Sequence, residues 1–458
     1  MKKIVLIICF VVCLPGVTRA NSALGTAGMA DNNSAPREVT MSALDAMKMV
    51  GAMVDNGELD MAEQILDKMP AFGGGPLEIE RWFLTARIAA YKGDFDTAID
   101  IYRDILDAHP DLARVRFELA VCYMKTKQWY RADYQLRLAM AGNDLPDNIR
   151  QMMNYYRYVI RQNKNWNVWF NFGAAPDNNV NNATGGQECV MTPLGPLCHN
   201  LVEPESAVGF NLAFGGNYEF KLSEQWRWKT EAGIYSNTYT LHNYDDLYLY
   251  ASTGPRFIWS QGDVWIAAVG SRRWYGWDGY NWSAGGRVGA SYDFTRKLLG
   301  RLDFQITSNK YDVYAEYLNG ETYSLNTELF YSISPNFYTV LRTGVAREWA
   351  ASETYSYWTP RVSIGIGAEL PWGFNLYVEP AFYWQLYDAE QWSVQDGWFK
   401  RVTERDFSQR YAVYLSNNKF DVMGFVPTVV FSYTRRDSNI WQREYDRWAV
   451  EFTMSQRF

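Results

Sequence analysis

Cysteine and histidine are scarce in this chain, and long apolar runs are confined to its first twenty residues. Only three of the five cysteines follow residue 20, which is too few for a scaffold built from disulfides. No later apolar run approaches the roughly 20 residues that a membrane-spanning helix requires. These shortages exclude a disulfide-rich module and, after residue 20, a protein that crosses a membrane with helices.

The single long apolar run has the features of a secretory signal. Two lysines precede the apolar residues 4–14, and small residues at positions 18 and 20 provide the pattern that a signal peptidase reads. Cys9 and Cys13 lie inside this run without the preceding residues of a lipid-attachment site, so we predict no lipid anchor. We expect residues 1–20 to be removed on export.

Basic residues are outnumbered by acidic ones, and this balance argues against nucleic acid as a partner. Without the three cations of the expected signal, 41 Lys and Arg face 51 Asp and Glu, a net charge near −10. A protein that binds nucleic acid neutralises phosphates with an excess of Lys and Arg, which is missing here.

Patterns of catalytic or metal-binding residues are also missing. The three histidines, His109, His199 and His242, occur without a Gly-x-Ser-x-Gly motif or a nearby nucleophile. Asp245 and Asp246 are adjacent in a polar loop, where solvated charge explains them better than paired catalytic carboxylates do. We therefore predict no enzymatic activity, no cofactor and no metal.

Tryptophan divides the chain into two parts. Only two of its 19 tryptophans, Trp82 and Trp129, precede residue 160. Residues 21–40 are small and polar and are expected to form a flexible lead-in. The apolar spacing is helical in residues 41–162 and alternates with a period of two in residues 163–458, so a domain boundary is predicted near residue 163.

The helical part contains a repeated pattern. Each unit has a turn, a large apolar residue and then a small alanine, and Ala62, Ala98 and Ala132 recur at intervals of 36 and 34 residues, with Pro110 closing the second unit. This pattern predicts tetratricopeptide repeats, with a generic bundle of helical hairpins as the alternative. Such repeats bind extended or helical segments of other proteins.

The second part alternates apolar and polar residues in the manner of strands exposed to different surroundings on their two faces. Val362, Ile364 and Ile366 alternate with Arg361 and Ser363 and with glycines. A soluble β-sandwich also alternates in this way, so the alternation alone leaves two folds open.

Three features favour an outer-membrane β-barrel. One face of the predicted strands carries charges and glycines, which a water-filled lumen tolerates. The other face carries aliphatic residues, with aromatic residues near the strand ends. Short turns, at residues 261–263, 334–336 and 371–373, alternate with long polar segments at 176–206 and 388–406. We predict about fourteen antiparallel strands, with the repeats in the periplasm and the long loops extracellular.

The third feature is the C-terminus, which has the alternating apolar residues and terminal Phe that the barrel-assembly machinery recognises. Gln456 departs from this pattern by being polar. The residues of the predicted assembly signal are Trp448, Val450, Phe452, Met454 and Phe458.

The predicted first extracellular loop contains Cys189 and Cys198. Two cysteines this close in an exported loop are expected to form a disulfide. His199 next to Cys198 raises the possibility of a metal, but one His and two Cys make an incomplete ligand set.

The start of the second part resembles a known family. Residues 166–183 read WNVWFNFGAAPDNNVNNA, and this segment resembles the first barrel strand of the surface lipoprotein assembly modulators, or Slam proteins. Its motif residues are Pro176, Asp177, Asn178, Asn179 and Asn181, although the family commonly has Ser at the position of Asn178. A strand-ending turn and a role in contacting clients or gating the lumen are both compatible with these residues.

The resemblance implies an outer-membrane translocon that moves specific lipoproteins, or soluble secreted effectors, to the cell surface, in some relatives for host association. Its expected partners are the client and the barrel-assembly machinery, and we expect a monomeric barrel. Polysaccharide export is one alternative, but the predicted inward charges have both signs. The other is a surface adhesin that binds a host partner through its aromatic loops at 274–282 and 392–398. The predicted inward charges are Arg256, Arg287, Arg361, Glu219, Glu231, Glu328 and Glu369.

Overall fold

A computed structural model describes residues 42–457 apart from positions 71, 74, 143–145 and 421–424. The expected signal at 1–20, the lead-in at 21–40 and the terminal Phe458 lie outside the described residues. Helices occupy the first part of the described chain and strands the second, and the change falls between Asn163 and Trp166.

Three helical hairpins and a closing helix make up the helical domain. Its helices are α1 (Ala43–Asn56), α2 (Leu59–Lys68), α3 (Pro76–Lys92), α4 (Phe95–Ala108), α5 (Ala113–Lys125), α6 (Trp129–Ala139) and α7 (Asp147–Asn163). Among the described residues, no helix combines the length and the apolar character that crossing a bilayer requires.

The turn inside each hairpin repeats in its backbone conformation. Gly57, Gly93 and Lys127 each lie two residues before the next helix and have φ values of 81°, 88° and 62°. The following amide then donates to a carbonyl five residues back, as Gln128 N does to Tyr123 O at 2.8 Å. This left-handed helix ending suits glycine, so the third repeat retains the turn with an unfavourable residue.

The predicted small alanines mark equivalent positions. Ala62, Ala98 and Ala132 are each the fourth residue of the second helix of a hairpin, and each is fully buried. A methyl side chain here lets the paired helices approach closely, and larger residues such as Phe83, Tyr102 and Leu136 fill the remaining core.

The strands form a closed antiparallel barrel and one small hairpin outside it. The barrel strands are β1 (Trp166–Asp177), β4 (Ala207–Lys221), β5 (Trp226–Tyr239), β6 (Asp246–Trp259), β7 (Gly262–Tyr275), β8 (Asp278–Asp293), β9 (Leu298–Tyr311), β10 (Gly320–Ser334), β11 (Phe337–Ala350), β12 (Tyr357–Glu369), β13 (Phe374–Gln395), β14 (Trp398–Asn417), β15 (Val426–Ser438) and β16 (Tyr445–Arg457). The small hairpin consists of β2 (Gln187–Thr192) and β3 (Gly195–Asn200), and a one-turn helix, α8 (Ala315–Leu318), follows β9.

Fourteen strands close the barrel, as predicted, because β1 pairs with β4 on one side and with β16 on the other. Phe172 is opposite Leu212 of β4 and Met454 of β16. An even number of strands brings β1 and β16 back to the same end of the barrel, which is the end where the helical domain lies.

The alternation sorts side chains as predicted. Phe210, Phe214, Ile364 and Ile366 face outward and are 45–51% exposed in the isolated chain. Their neighbours in sequence, such as Ser363, face the lumen. Ser363 is buried there, and its hydroxyl donates a hydrogen bond to Glu379 at 2.8 Å. An outward apolar band around a polar interior is the surface that a lipid bilayer requires.

The segment 388–406, predicted to be a long loop, is instead a hairpin that extends β13 and β14 beyond the barrel. Gln395 is opposite Trp398, and the two residues between them, Asp396 and Gly397, have φ values of 56° and 79°. Positive φ at both central positions is what a two-residue hairpin turn of type I′ requires. The polar composition of the segment hid its strand character, because both faces of a hairpin that projects into water can be polar.

Overpacking at a repeat alanine should destabilise the helical domain. We expect Ala98→Leu to lower the free energy of unfolding by about 1–3 kcal/mol, because α3 and α4 have no space for the extra methylenes. Ala52→Leu, at an exposed position of α1, is the matched control. Thermal unfolding of the full-length protein in detergent, followed by the helical circular dichroism signal, measures both. Equal unfolding temperatures would contradict close packing at Ala98.

Candidate functional site

The helical domain lies across one mouth of the barrel, and this interface is the candidate functional site. Gln162, near the end of α7, accepts two hydrogen bonds from Arg227 at the start of β5. On the other side, Arg116 of α5 contacts Glu369 at the end of β12. Because β5 and β12 are seven strands apart in either direction around the fourteen-strand ring, the helical domain spans the full diameter of the mouth.

An acidic residue of the barrel rim, Asp293 at the end of β8, receives two arginines from α7. Arg157 Nη1 lies 2.9 Å from Asp293 Oδ1, and Arg161 contacts Oδ2. Arg157 is 5% exposed and also donates to Asp133 Oδ1 of α6 at 3.0 Å. Arg161 further donates to Ser260 O of the neighbouring barrel turn at 2.7 Å. Removing one partner of such a buried set leaves a charge without compensation, which is costly.

A second carboxylate of the rim, Glu369, is held by both α5 and α6. Arg116 Nη2 donates to Glu369 Oε2 at 2.5 Å, and the Tyr134 hydroxyl donates to Oε1 at 2.7 Å. Arg116 is completely buried. Glu369 was predicted to be an inward lumen charge, and the structure shows that it points to the helical domain at the lumen's edge.

A cavity of about 330 Å³ lies beside these contacts, between the helices and the barrel rim. Apolar side chains of both domains line it together with the polar groups of the interface. Arg103 of α4 reaches past the cavity and donates to Asn418 O, in the turn after β14, at 2.7 Å. The apolar residues that line the cavity include Leu106, Leu119, Leu370 and Phe374.

The surroundings of the interface shift the pKa values of several ionisable groups of the helical domain. Burial alone would raise the pKa of Asp133, but the attraction of Arg157 and Arg137 outweighs burial and holds this pKa well below its ordinary value. Burial lowers the pKa of Lys164, in the linker before β1, to about 8. Burial and the charge of Glu369 raise the pKa of the Tyr134 hydroxyl well above its ordinary value, so Tyr134 remains a hydrogen-bond donor.

The lumen wall and its periplasmic rim carry charges of both signs, and ion pairs join many of them. Arg256 contacts Glu219 at 2.6 Å and Asp263 at 2.9 Å. Arg342 contacts Glu328 at 3.0 Å and Glu379 at 2.6 Å. Two other predicted inward charges are in ion pairs, Arg287 with Asp303 and Glu231 with Lys229, and Arg361 donates a hydrogen bond to the neutral Asn326. Among the described residues of the wall, charges of the two signs therefore alternate and form no zone of a single sign that would select one kind of ion.

Aromatic rings lie flat against glycines of neighbouring strands in the lumen. Trp169 of β1 covers Gly215, and Tyr250 of β6 covers Gly233, so that a Cβ atom at either glycine would collide with the ring. Tyr235 connects the two, with its ring centroid 5.3 Å from that of Trp169 and 6.0 Å from that of Tyr250. These glycines keep the lumen open where the large rings lie.

The junction motif links the first and last strands at the end of the barrel away from the helices. Asp177 Oδ1 accepts from Asn179 N at 2.9 Å, and Asp177 Oδ2 accepts from Arg447 Nε at 2.8 Å. Asn178 Oδ1 accepts from Trp448 N at 2.8 Å. Pro176 has no amide hydrogen to offer, and these side chains add to the backbone pairing of Asp177 with Ala449 in holding β1 to β16 here.

The remaining asparagines of the motif hold the first loop. Asn179, 2% exposed, donates to Ala183 O at 2.9 Å and to Asp446 O at 3.1 Å. Asn181 donates to Glu203 O at 2.8 Å and accepts from Glu205 N at 3.0 Å. Of the two roles left open by the sequence, these contacts are those of a turn, and this turn also fastens the seam of the barrel.

The first loop carries the small hairpin, in which Cys189 and Cys198 are directly opposite each other and bonded. The neighbouring His199 Nε2 lies 3.2 Å from Glu188 Oε2. Met191 N of this hairpin donates to Gly397 O at the tip of the β13–β14 hairpin at 2.7 Å. The two projecting hairpins therefore contact each other on the side away from the helices.

The predicted assembly signal lies in β16. Trp448 and Phe452 face outward and are 47% and 56% exposed, and Val450 and Met454 share their face. Pro110 lies between α4 and α5, as the repeat pattern predicted, and its carbonyl accepts two hydrogen bonds from Arg116.

Sequence reasoning missed the arginines that hold the interface together. Arg116 lies between the buried residues Val115 and Phe117, and Arg157 lies on the apolar stripe of α7 with Met153 and Ile160. An arginine at a core position of a helix needs an anionic partner, and this requirement was the available signal. It gives no indication that the partner belongs to the barrel.

Comparison with known proteins gives family matches in both parts. The sequence model of the family described as surface lipoprotein assembly modifier matches residues 166–458, and a tetratricopeptide repeat model matches residues 89–144. The repeat match and the fourteen-strand ring of the structure together confirm the prediction of helical repeats followed by a fourteen-strand barrel.

Curated relatives with the same description are distant in sequence. The surface lipoprotein assembly modifier of Pasteurella multocida (strain Pm70) is 22% identical over 392 residues, which cover 81% of this chain and 75% of that protein. That of Moraxella catarrhalis is 25% identical over 294 residues, 58% of this chain and 56% of that protein, so the chain spans little more than half of its length. Among solved structures, a Pseudomonas aeruginosa FadL homologue aligns over 72% of this chain and 93% of that chain with a TM-score of 0.37 and 6% identity.

Loss of one rim charge should loosen the helical domain. We expect Asp293→Asn to weaken docking by about 2 kcal/mol, because Arg157 and Arg161 lose a charged partner. Hydrogen–deuterium exchange of α7 in the full-length protein should then become faster. The matched control is Asp303→Asn, which breaks a lumen pair with Arg287 at 2.6 Å. Unchanged exchange in Asp293→Asn, or the same increase in Asp303→Asn, would contradict the role of the rim charge.

Proposed function

Because the chain belongs to the surface lipoprotein assembly modifier family, we propose that it is an outer-membrane translocon that exports specific surface lipoproteins or secreted proteins to the cell surface. The barrel lies in the outer membrane, with the helical domain on the periplasmic side and the β2–β3 and β13–β14 hairpins outside. The proposal includes insertion by the barrel-assembly machinery through β16, and a monomeric barrel. No catalytic step is assigned to it.

The observation that carries this proposal is the docking of the helical domain across the periplasmic mouth. Contacts on strands at opposite sides of the ring, β5 and β12, mean that a protein arriving from the periplasm meets the helical repeats before the lumen. Repeats of this kind bind segments of other proteins. A binding module at the entrance supports selection of a client, which an open pore would not need.

The chemistry of the lumen supports a polypeptide as the substance transported. Paired charges of both signs, as in Arg342 with Glu328 and Glu379, attract neither anions nor cations as a class. The rings of Trp169, Tyr235 and Tyr250 offer apolar contact to side chains of a passing segment. A polypeptide carries both kinds of group.

A second candidate function is direct binding of a host partner by the extracellular hairpin. Trp392 and Trp398 are 70% and 59% exposed. They lie on the part of the β13–β14 hairpin that projects past the other barrel strands. Large exposed aromatic residues are favoured at protein interfaces. Such binding would not require the helical domain.

Deletion of the helical repeats separates the two functions. We expect removal of residues 41–160, with the signal retained, to leave a heat-modifiable barrel in the outer membrane but to abolish surface display of a co-expressed lipoprotein client. Display is scored by protease added to intact cells. Client display equal to that of the full-length protein would overturn the proposed part of the repeats, and host-cell binding retained by the deletion variant would support the second candidate.

A further inference from the structure

We propose that Arg116 and Tyr134 form a carboxylate-binding site that Glu369 of the barrel occupies in the resting protein, and that a client segment with an acidic side chain replaces Glu369. This inference rests on the proposed function and specifies the chemistry by which the helical domain recognises its client. The ligand class is an extended peptide that presents a carboxylate next to apolar residues.

Arg116 is positioned by the helical domain itself. Its Nε and Nη2 atoms donate to Pro110 O at 3.0 and 2.6 Å, and its Nη1 atom donates to Gln135 Oε1 at 2.7 Å. All three contacts lie within the repeats and do not depend on the barrel. The guanidinium therefore keeps its orientation when Glu369 leaves, and a preorganised donor binds with a smaller entropy cost.

The helical domain binds the side-chain carboxylate of Glu369 through both of its oxygens, as it would bind a peptide carboxylate. Its two carboxylate oxygens are divided between Arg116 Nη2 at 2.5 Å and the Tyr134 hydroxyl at 2.7 Å. The residue lies at the very end of β12, where its side chain extends from the rim rather than from the wall. A carboxylate on a different chain can make the same two contacts.

The charge of Arg116 determines what can replace Glu369. Because Arg116 is completely buried, separating it from Glu369 without a substitute leaves an unpaired buried cation. A neutral peptide cannot compensate this charge, whereas a carboxylate can. When a client carboxylate takes the place of Glu369, Arg116 keeps an anionic partner. Replacement therefore costs little free energy and lets the helical domain separate from the barrel rim.

The surroundings of the pair fit a peptide. The adjoining cavity of about 330 Å³ is large enough for one or two apolar side chains and is lined by Leu106 and Leu119 of the repeats. Arg103 donates to the backbone carbonyl of Asn418 at 2.7 Å, a contact that the backbone of a bound peptide can also make. The rim of the barrel thus presents a side-chain carboxylate and a backbone carbonyl where a client would present its own.

The experiment uses full-length protein in detergent and two peptides, acetyl-Leu-Glu-Leu-Ala-amide and the same peptide with Gln in place of Glu, each with a fluorescent label. We expect Glu369→Gln, which replaces the competing carboxylate by a neutral amide, to bind the Glu peptide at least tenfold more tightly than wild type does. We expect no such gain for the Gln peptide. Glu328→Gln, which removes a lumen carboxylate paired with Arg301 and Arg342, is the matched control and should leave binding at the wild-type level.

A second variant tests the hydroxyl. Adding Tyr134→Phe to Glu369→Gln retains the ring and removes the donor to the carboxylate, so the affinity for the Glu peptide should fall several-fold. Heat-modifiable migration confirms that each barrel is folded. Glu and Gln peptides bound equally by Glu369→Gln, or no binding of either, would overturn the proposal. Inorganic phosphate that displaces the Glu peptide at equal concentration would do so as well, since it would reveal a general anion site.

The outcomes distinguish this site from the proposed function. Peptide binding is measured without transport, so a site that behaves as expected stands even if no client reaches the surface. Conversely, wild-type client display together with no peptide selectivity would leave translocation intact and remove the carboxylate site.

Discussion

Buried arginines of the helical domain, paired with carboxylates on the barrel rim, are the interaction on which the arrangement of this protein depends. Arg116 and Arg157 lie inside their own domain, yet each uses a partner from the barrel, Glu369 or Asp293. Arg157 also has Asp133 in its own domain, but the partners of Arg116 within the repeats are neutral, and a buried guanidinium without an anion is costly. The two pairs lie four strands apart, on β8 and β12, and the contact of Arg227 on β5 with Gln162 lies opposite Glu369 in the ring, so the repeats are held across the opening rather than attached at one edge.

Pairing of arginines with carboxylates extends into the barrel. Lumen arginines are paired with neighbouring carboxylates, and large rings lie on glycines, so the wall is polar and balanced while the passage stays open. At the outer end, Asp177 and Asn178 fasten β1 to β16 where Pro176 cannot contribute an amide hydrogen. In the proposed function, specificity belongs to the entrance, where the helical domain offers charged contacts, and the barrel provides the route.

Much of the architecture could be predicted from local patterns, because each strand alternates toward lipid and lumen and each repeat has its own alanine and turn. The pattern failed at 388–406, since a hairpin that projects into water need not have an apolar face. The interface was beyond local patterns for a different reason. Arg116 and Glu369 are 253 residues apart, and the alternation that places Glu369 on the inner face is the same whether its partner is a strand or a helix. Only the folded chain pairs them.

The conductance of single molecules in a planar bilayer tests most directly the central claim that the rim pairs hold the helical domain over the mouth. The full-length protein should stay mainly in a low-conductance state, because the docked repeats obstruct the lumen. The double variant Asp293→Asn with Glu369→Gln should open to a larger, long-lived conductance. If the full-length protein and the double variant showed the same conductance and the same open time, these rim pairs would not be what holds the helical domain over the mouth.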